Sequence, residues 1–492
     1  MQALFSNITE KLSYHAWRRP DHPALIDGDR VIDYRSLDSL VRKTATQLRK
    51  RGVKERDIVG LAMTDTPEHL IALLSLIRMG AVLLPMDCRW TDAEKRNVTQ
   101  FFGAAGAFSD LGPIEGVHSF VVDDEWLEDR RKIAPDEHFP NDAEAPIWLS
   151  LSSGTTGIPK GPMLSHRQVT LRFLCQAVTL GFCERDTHIL ATPLYFGGGR
   201  GFSMGHLMLG GTVDFFPPPY QPMQLVEAVR QRQPQSLFLV PTLLRRLLEL
   251  PFDDGPLFPN LRVLISSGSM LHAAERDKVR VQLSPNFVNL YSSTEGGAVS
   301  TLPASAGPDK SGSVGRAAFM NEFEIADEND RPLPTGQIGR IRQRAPWVPD
   351  GFYNNPEETK KYFKDGWYYP GDLGRVDDEG YLYIVGRTKD MIIRGGINIY
   401  PAEIEAVLNN HDSVHDAAVL PWPSREMGEE VAAFVVTGAH TVDEQSLREH
   451  CRASLAPYKV PKRIFFVEQF PKSPLGKILK AELAKQLPAN PN

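Results

Sequence analysis

Three consecutive stretches, SLDSLVRKTATQLRKRG (36–52), DIVGLAM (57–63) and HLIALLSLIRMG (69–80), decide the fold class. In the first, Leu37, Leu40, Val41, Ala45 and Leu48 recur at the spacing that lines one face of a helix, and Gly52 supplies a C-terminal cap. The second is a short apolar run of strand length. The third reads as another helix, ending at Gly80. Helix, buried strand and helix in alternation imply helical layers over a largely parallel sheet, an α/β fold. The unit recurs further on, where HILATPL (188–194), SLFLVPT (236–242) and RVLISSG (262–268) are apolar strands, each near a helical stretch.

After about Gly312 the texture changes to short strands with turn signals, such as IGRIRQR (338–344) and YLYIVG (381–386). From about Lys389 a compact unit of roughly 100 residues follows, by the same periodicity reading. It has helices PAEIEAVLNN and EQSLREHCRAS and strands AAVLPW, EVAAFVV and RIFFV. That is the pattern of a small α+β domain.

The bulk numbers agree with more than one domain. A chain of 492 residues exceeds what one hydrophobic core sustains. Apolar residues at 42% and charged residues at 24% are those of a globular protein, and a net charge of −6 argues against a nucleic-acid surface. Cys88, Cys175, Cys183 and Cys451 stand far apart with no CxxC pair, which predicts reduced thiols rather than a disulfide framework or zinc site. The N-terminal residues lack the apolar core of a signal peptide, and no apolar run approaches the ~20 residues that span a bilayer. The expectation is a cytoplasmic protein without a membrane span.

Five segments carry chemistry. In Leu149-Ser-Leu-Ser-Ser-Gly-Thr-Thr-Gly-Ile-Pro-Lys160, an apolar strand runs into hydroxyls, glycines and a lysine, donors suited to polyphosphate oxygens. It is not a Walker motif, because the spacing fails and Pro159 precedes the lysine. Composition alone leaves a solvent-exposed loop equally open. Tyr291-Ser-Ser-Thr-Glu295 follows the strand-like FVNL and offers a flat ring and a carboxylate for Mg²⁺, or simply a solvated loop. Trp367-Tyr-Tyr-Pro-Gly-Asp372 and Gly386-Arg-Thr-Lys-Asp-Met-Ile-Ile-Arg-Gly-Gly396 offer an acid for a ribose diol and a cation beside it, or a turn acid and a surface arginine. Pro471-Lys-Ser-Pro-Leu-Gly-Lys477 ends in a lysine whose default is a solvated side chain.

In this order and at these separations the segments resemble the adenylate-forming superfamily of acyl-CoA synthetases, peptide-synthetase adenylation domains and beetle luciferases. The resemblance covers about Tyr34 to Leu487. It implies a large, multi-subdomain N-terminal adenylation domain (1–388) and a small mobile α+β lid (389–492), with Lys389 as the hinge. It implies that Ser152, Ser153, Gly154, Thr155, Thr156, Gly157 and Lys160 wrap the β- and γ-phosphates of ATP. Tyr291 would stack on adenine, Asn289 bond its amino group and Gly268 complete the nucleotide site. Asp372 and Arg387 would bind ribose, and Glu295 with Thr294 would hold Mg²⁺. Lys477 would reach in from the lid to the carboxylate and α-phosphate. After adenylation the lid would turn, and Gly395 and Gly396 would make room for the pantetheine arm of coenzyme A, although a plain Gly-Gly turn fits the same residues.

The segment Thr192-Pro-Leu-Tyr-Phe196-Gly-Gly-Gly-Arg-Gly201 resembles the family's pocket wall, with Phe196 where many acyl- and aryl-CoA ligases carry His. No carboxylate stands nearby to pair with a substrate ammonium, which disfavours an amino acid. Gly197, Gly198 and Gly199 either widen the pocket mouth or form a flexible turn. Leu290, where relatives have Gly, limits its depth, and Gly297 completes the lining. The expected substrate is an apolar fatty, alicyclic or aromatic acid joined to coenzyme A. Delivery to a carrier protein, a non-catalytic nucleotide-binding relative and a homo-oligomer stay open.

Overall fold

A computed structural model describes residues 7–135, 137, 139–151, 160–251, 255–438, 442–472 and 478–488. Four sheets organise them. The largest has nine strands. Its centre is a run of parallel pairs from Phe287–Ser293 through Val263–Ser266, Ser236–Leu239, Thr187–Leu190 and Thr212–Phe215 to Pro23–Asp27. Antiparallel strands close both edges: Arg30–Asp33 on one side, Gly297–Leu302 and Arg316–Ala317 on the other. A six-stranded sheet, Ser119–Val121, Gly106–Ser109, Ile58–Ala62, Val82–Pro85, Pro146–Leu149 and Met163–Ser165, is parallel except for its last pair.

The helices expected at 36–52 and 69–80 form at Tyr34–Lys50 and Pro67–Arg78. Asp33 caps the first through the Ser36 N–H, and Gly52 adopts φ +90° just past its end. Pro67–Arg78 is buried nearly all round because it is sandwiched. It packs with Tyr34–Lys50 in one core that also takes Leu25, Leu190 and Val213 of the nine-stranded sheet and Val59, Leu61 and Leu83 of the six-stranded sheet. All five residues of Ile58–Ala62 are buried, as a strand covered on both faces must be.

The change of texture after Gly312 is a change of architecture. Glu322–Ala326, Gly339–Arg344, Phe363–Lys364, Trp367–Tyr368, Asp372–Val376 and Leu382–Arg387 form an antiparallel sheet. Leu382–Arg387 is its last strand. A 3₁₀ turn at Thr388–Asp390 follows, and Ile392–Arg394 already belongs to another sheet. That sheet, with Ile397–Ile399, Val414–Ser424, Gly428–Thr437 and Arg463–Phe466, packs Pro401–Asn409 and Glu444–Ser454 against a core of its own. The molecule is therefore a large α/β portion followed by a small α+β domain. Among the described residues no helix is long and apolar enough to cross a membrane.

Candidate active site

Parallel sheets offer ligand sites beyond the carboxyl ends of their strands. Here the strand Phe287–Ser293 ends in Thr294-Glu295, and the strand Val263–Ser266 ends in Ser267-Gly268. Ser267 and Ser292 hydroxyls meet at 2.8 Å, tying the two strand ends together. The antiparallel sheet brings its own residues to the same place. Asp372 and Arg387 are directly opposed across neighbouring strands, and Arg387 Nε lies 2.9 Å from Asp372 Oδ1. The other oxygen, Oδ2, accepts a 2.5 Å hydrogen bond from the Tyr291 hydroxyl. Residues separated by some 80 positions in sequence thus form one linked group.

Glu295 is buried, and its Oε2 accepts from the Tyr368 hydroxyl at 3.1 Å. An ionised carboxylate keeps lone pairs beyond the one Tyr368 uses. Mg²⁺ carried on a triphosphate needs only one or two carboxylates, so Glu295 fits that ion. Among the described residues no group of three or more His, Cys, Asp or Glu is placed to cage a metal by itself. Burial raises the Tyr291 and Tyr368 hydroxyls well above the ordinary tyrosine range, and the facing carboxylates Asp372 and Glu295 add to it. Both stay neutral donors. Burial works against the charge on Arg387, but Asp372, Tyr291, Asp390 and Tyr368 together outweigh it and hold the guanidinium above its usual pKa.

Three supports escaped the sequence reading. Arg172, on the helix His166–Leu180, donates to the Thr294 carbonyl at 3.2 Å and to the Glu295 carbonyl. Burial lowers its pKa to about 10, so it remains a cation at neutral pH. Gln343 and the fully buried Trp347 both donate to Gly296 O at 2.8 Å. These three fix the backbone around Glu295. Tyr368 was missed as well, although it sits inside a quoted segment, four residues before Asp372. Arg172 had no local signal, since a lone arginine on a helix reads as solvated.

The remaining expected residues divide. Asn289 is buried on its strand, paired with Ser266 of the parallel neighbour. Gly268 has φ +105°, and a Cβ there would lie 3.5 Å from Phe196 Cζ. It therefore sits beside Phe196 as well as at the strand end. Phe196 stacks on Phe238 with ring centroids 6.3 Å apart and joins an apolar cluster with Val240, Ile265 and Leu290. Gly297 has φ +69° and backs onto Trp347 and Arg172. Lys160 is buried and ion-paired with Glu358, its ammonium 5.3 Å from the Tyr362 ring centroid, so its side chain is tied to the helix Pro356–Tyr362.

One expectation is corrected. Gly197, Gly198 and Gly199 are not a flexible turn: they are the first turn of the helix Gly197–Leu209. A Cβ on Gly198 would fall 2.3 Å from Phe238 Cε1, and one on Gly199 would fall 2.3 Å from both the Thr192 and Pro193 carbonyl oxygens. Gly199 is buried against backbone.

In the small domain, Gly395 and Gly396 (φ +57° and +82°) form the two-residue turn of the hairpin Ile392–Arg394/Ile397–Ile399, a backbone that glycine adopts freely. Arg394 is held by Glu430 at 2.5 Å and 3.1 Å. Lys389 lies exposed in the 3₁₀ turn between the two sheets. Ser152, Ser153, Gly154, Thr155, Thr156, Gly157 and Lys477 lie outside the described residues.

Comparison with known proteins identifies the family and the fold. The sequence profile of the AMP-binding enzyme matches residues 12–353, and that of the AMP-binding enzyme C-terminal domain matches 403–477. The chain is 30% identical over 483 residues to a 2-succinylbenzoate–CoA ligase of Bacillus licheniformis, covering 96% of this chain and 98% of that one. It is 30% identical over 474 residues to a feruloyl-CoA synthase of an Amycolatopsis species, covering 95% and 96%. Among solved structures, ATP-bound MatB from Rhodopseudomonas palustris superposes with a TM-score of 0.88 at 27% identity, over 96% of this chain and 98% of the other. The o-succinylbenzoate CoA synthetase of Bacillus subtilis with its acyl-adenylate intermediate gives 0.85 at 25%, over 96% and 97%.

Proposed function

This chain belongs to the AMP-binding enzyme family, and from that premise we propose that it is an ATP-dependent, AMP-forming ligase joining an apolar carboxylic acid to coenzyme A. The observation that carries the site assignment is the linked group Tyr291–Asp372–Arg387 beside Glu295–Tyr368, at the carboxyl end of a parallel strand. Tyr291 and Asn289 take the adenine, while Asp372 and Arg387 take the ribose. Thr294 and Glu295 hold the Mg²⁺ that arrives on ATP, and Ser152 to Lys160 form the phosphate loop. Within that loop the hydroxyls and backbone N–H groups take the phosphates, and the pairing with Glu358 supports an anchoring role for Lys160.

Attack of the substrate carboxylate on the α-phosphate joins two anions and builds charge on the phosphoryl oxygens. Fixed cations aimed at that charge lower the barrier, which is the role assigned to Lys477. No general base is needed, because the acid is already ionised at neutral pH. Positioning both reactants in line supplies much of the remaining acceleration. We place the domain boundary after Thr388, with Lys389 as the hinge. Rotation there withdraws Lys477 and brings the Gly395–Gly396 turn to the site for thioester formation.

We place the acid against the apolar cluster that holds Phe196, Phe238, Val240 and Leu290. It suits an aryl or fatty acid, in keeping with the acids named for the relatives. The test is to incubate the protein with ATP, Mg²⁺ and coenzyme A, to screen straight-chain, branched, alicyclic and aromatic acids, and to measure AMP, pyrophosphate and acyl-CoA. Acid-dependent AMP and thioester, with adenylation greatly reduced in Lys477→Ala, is the expected outcome. AMP and pyrophosphate without thioester would transfer the second step to a carrier protein.

A further inference from the structure

The turn that presents Phe196 is held from three directions. Asp65 follows the strand Ile58–Ala62 and accepts the Leu194 N–H at 2.7 Å. Arg200 donates to the Leu194 carbonyl at 3.0 Å and the Tyr195 carbonyl at 2.9 Å, its guanidinium 4.5 Å from the Trp148 ring centroid. Arg89, paired with Asp87 at 2.7 Å, donates to the Tyr195 hydroxyl at 2.9 Å. Asp65 and Arg89 lie just beyond the strands Ile58–Ala62 and Val82–Pro85 of the six-stranded sheet, whereas Phe196 opens a helix that packs on the nine-stranded one. The acid pocket therefore borrows its wall position from the neighbouring layer. The Leu194 contact is made by a side chain kept where a carboxylate is disfavoured. Burial pushes the Asp65 carboxyl up to about 6, with Asp87 and Asp110 reinforcing and the Leu194 N–H and Arg89 opposing.

We propose that Asp65 is a positioning residue of the acid pocket: by holding the Leu194 N–H it fixes the turn whose next residue but one, Phe196, meets the acid. This rests on Phe196 lining the acid pocket, as assigned above. Asp65 makes no contact with the ATP-side group of Tyr291, Asp372, Arg387 and Glu295, so its effect is confined to the acid.

The experiment is steady-state kinetics with the best acid from the screen, for Asp65→Ala, Asp65→Asn and both in a Phe196→Ala background. Loss of a hydrogen bond to a charged acceptor amounts to about a tenfold effect. Asp65→Ala is expected to raise KM for the acid by about that factor with KM for ATP unchanged, and Asp65→Asn, which keeps an acceptor oxygen, to restore it to within about twofold. In the Phe196→Ala background the same alanine substitution is expected to do little, because the two act in series. Where Asp65→Ala does not fold, Asp65→Glu, which drives the carboxylate into the turn, is expected to show the same acid-selective rise. Equal losses for ATP and acid, or an undiminished effect without Phe196, would overturn the proposal. If Phe196→Ala alone leaves acid selectivity unchanged, the pocket assignment fails first and this inference with it.

Discussion

At the scale of single residues, Tyr291 does two things through one side chain. Its ring lies at the end of the strand that delivers Glu295, and its hydroxyl donates to Asp372, the partner of Arg387. Tyr291→Phe keeps the ring and deletes only the donor. Asp372 then retains Arg387, so the loss is one charge-assisted bond, and KM for ATP is expected to rise about three- to tenfold with kcat within about twofold. Asp372→Ala removes the ion-pair partner of Arg387 and the proposed ribose contact. Its kcat/KM for ATP is expected to fall by about a hundredfold or more. Steady-state kinetics with ATP varied at saturating acid reads both. An unchanged KM for Tyr291→Phe would show that the hydroxyl does not order the ribose site.

At the scale of elements, the three glycines of Gly197–Leu209 are a packing device with a graded cost. Nothing lies within 4 Å of a Cβ on Gly197, so Gly197→Ala is expected to be neutral or to stabilise by up to ~1 kcal/mol through helix propensity. On Gly199 a Cβ meets two backbone carbonyls that cannot move away, and Gly199→Ala is expected to cost about 2–3 kcal/mol or prevent folding. Denaturant titration of the two variants distinguishes a helix packed this closely from a loose turn. The same segment shows what sequence could reveal and what it could not. The strand and helix periods of Tyr34–Lys50, Ile58–Ala62, Pro67–Arg78 and Pro401–Asn409 are local, so they were legible. Three consecutive glycines carry no apolar period and read as loop, and only the facing Phe238 and the Thr192 and Pro193 carbonyls explain why Gly198 and Gly199 have no side chain. Tyr291, Asp372, Arg387 and Glu295 were legible from their segments, but their mutual bonds depend on pairings between distant strands. Arg172, Gln343 and Trp347 were invisible for the same reason: each acts on a backbone carbonyl far along the chain.

At the scale of the whole molecule, stability is set partly by histidines that the layered core keeps uncharged. Burial lowers His69, His166 and His206 to about 4, and it drives His188, stacked on His206 at 4.8 Å, well below its ordinary value of 6.5. His188 and His206 share Ser236 between them, at 2.7 Å and 3.1 Å, buried between the nine-stranded sheet and the helix Gly197–Leu209. A histidine with a depressed folded pKa binds fewer protons in the native state than in the unfolded chain. Its contribution is therefore intact above the unfolded pKa of 6.5 and is lost as pH falls from there toward about 4. At pH 5 each such group removes roughly 2 kcal/mol relative to pH 7. Asp65 has the opposite sign: its raised pKa of about 6 lets the native state take up a proton first, returning about 1.4 kcal/mol over the same interval. The balance for the three histidines at about 4 and Asp65 is a net loss of roughly 4–5 kcal/mol between pH 7 and pH 5. Guanidinium titrations at the two pH values are expected to show it as a fall in midpoint at constant slope. His206→Gln, which cannot charge, is expected to shrink the difference by about one histidine's share. If stability is flat across this interval, the histidines either reach water or find acceptors for a second proton, and the packed interface between helix Gly197–Leu209 and the nine-stranded sheet is looser than its geometry requires.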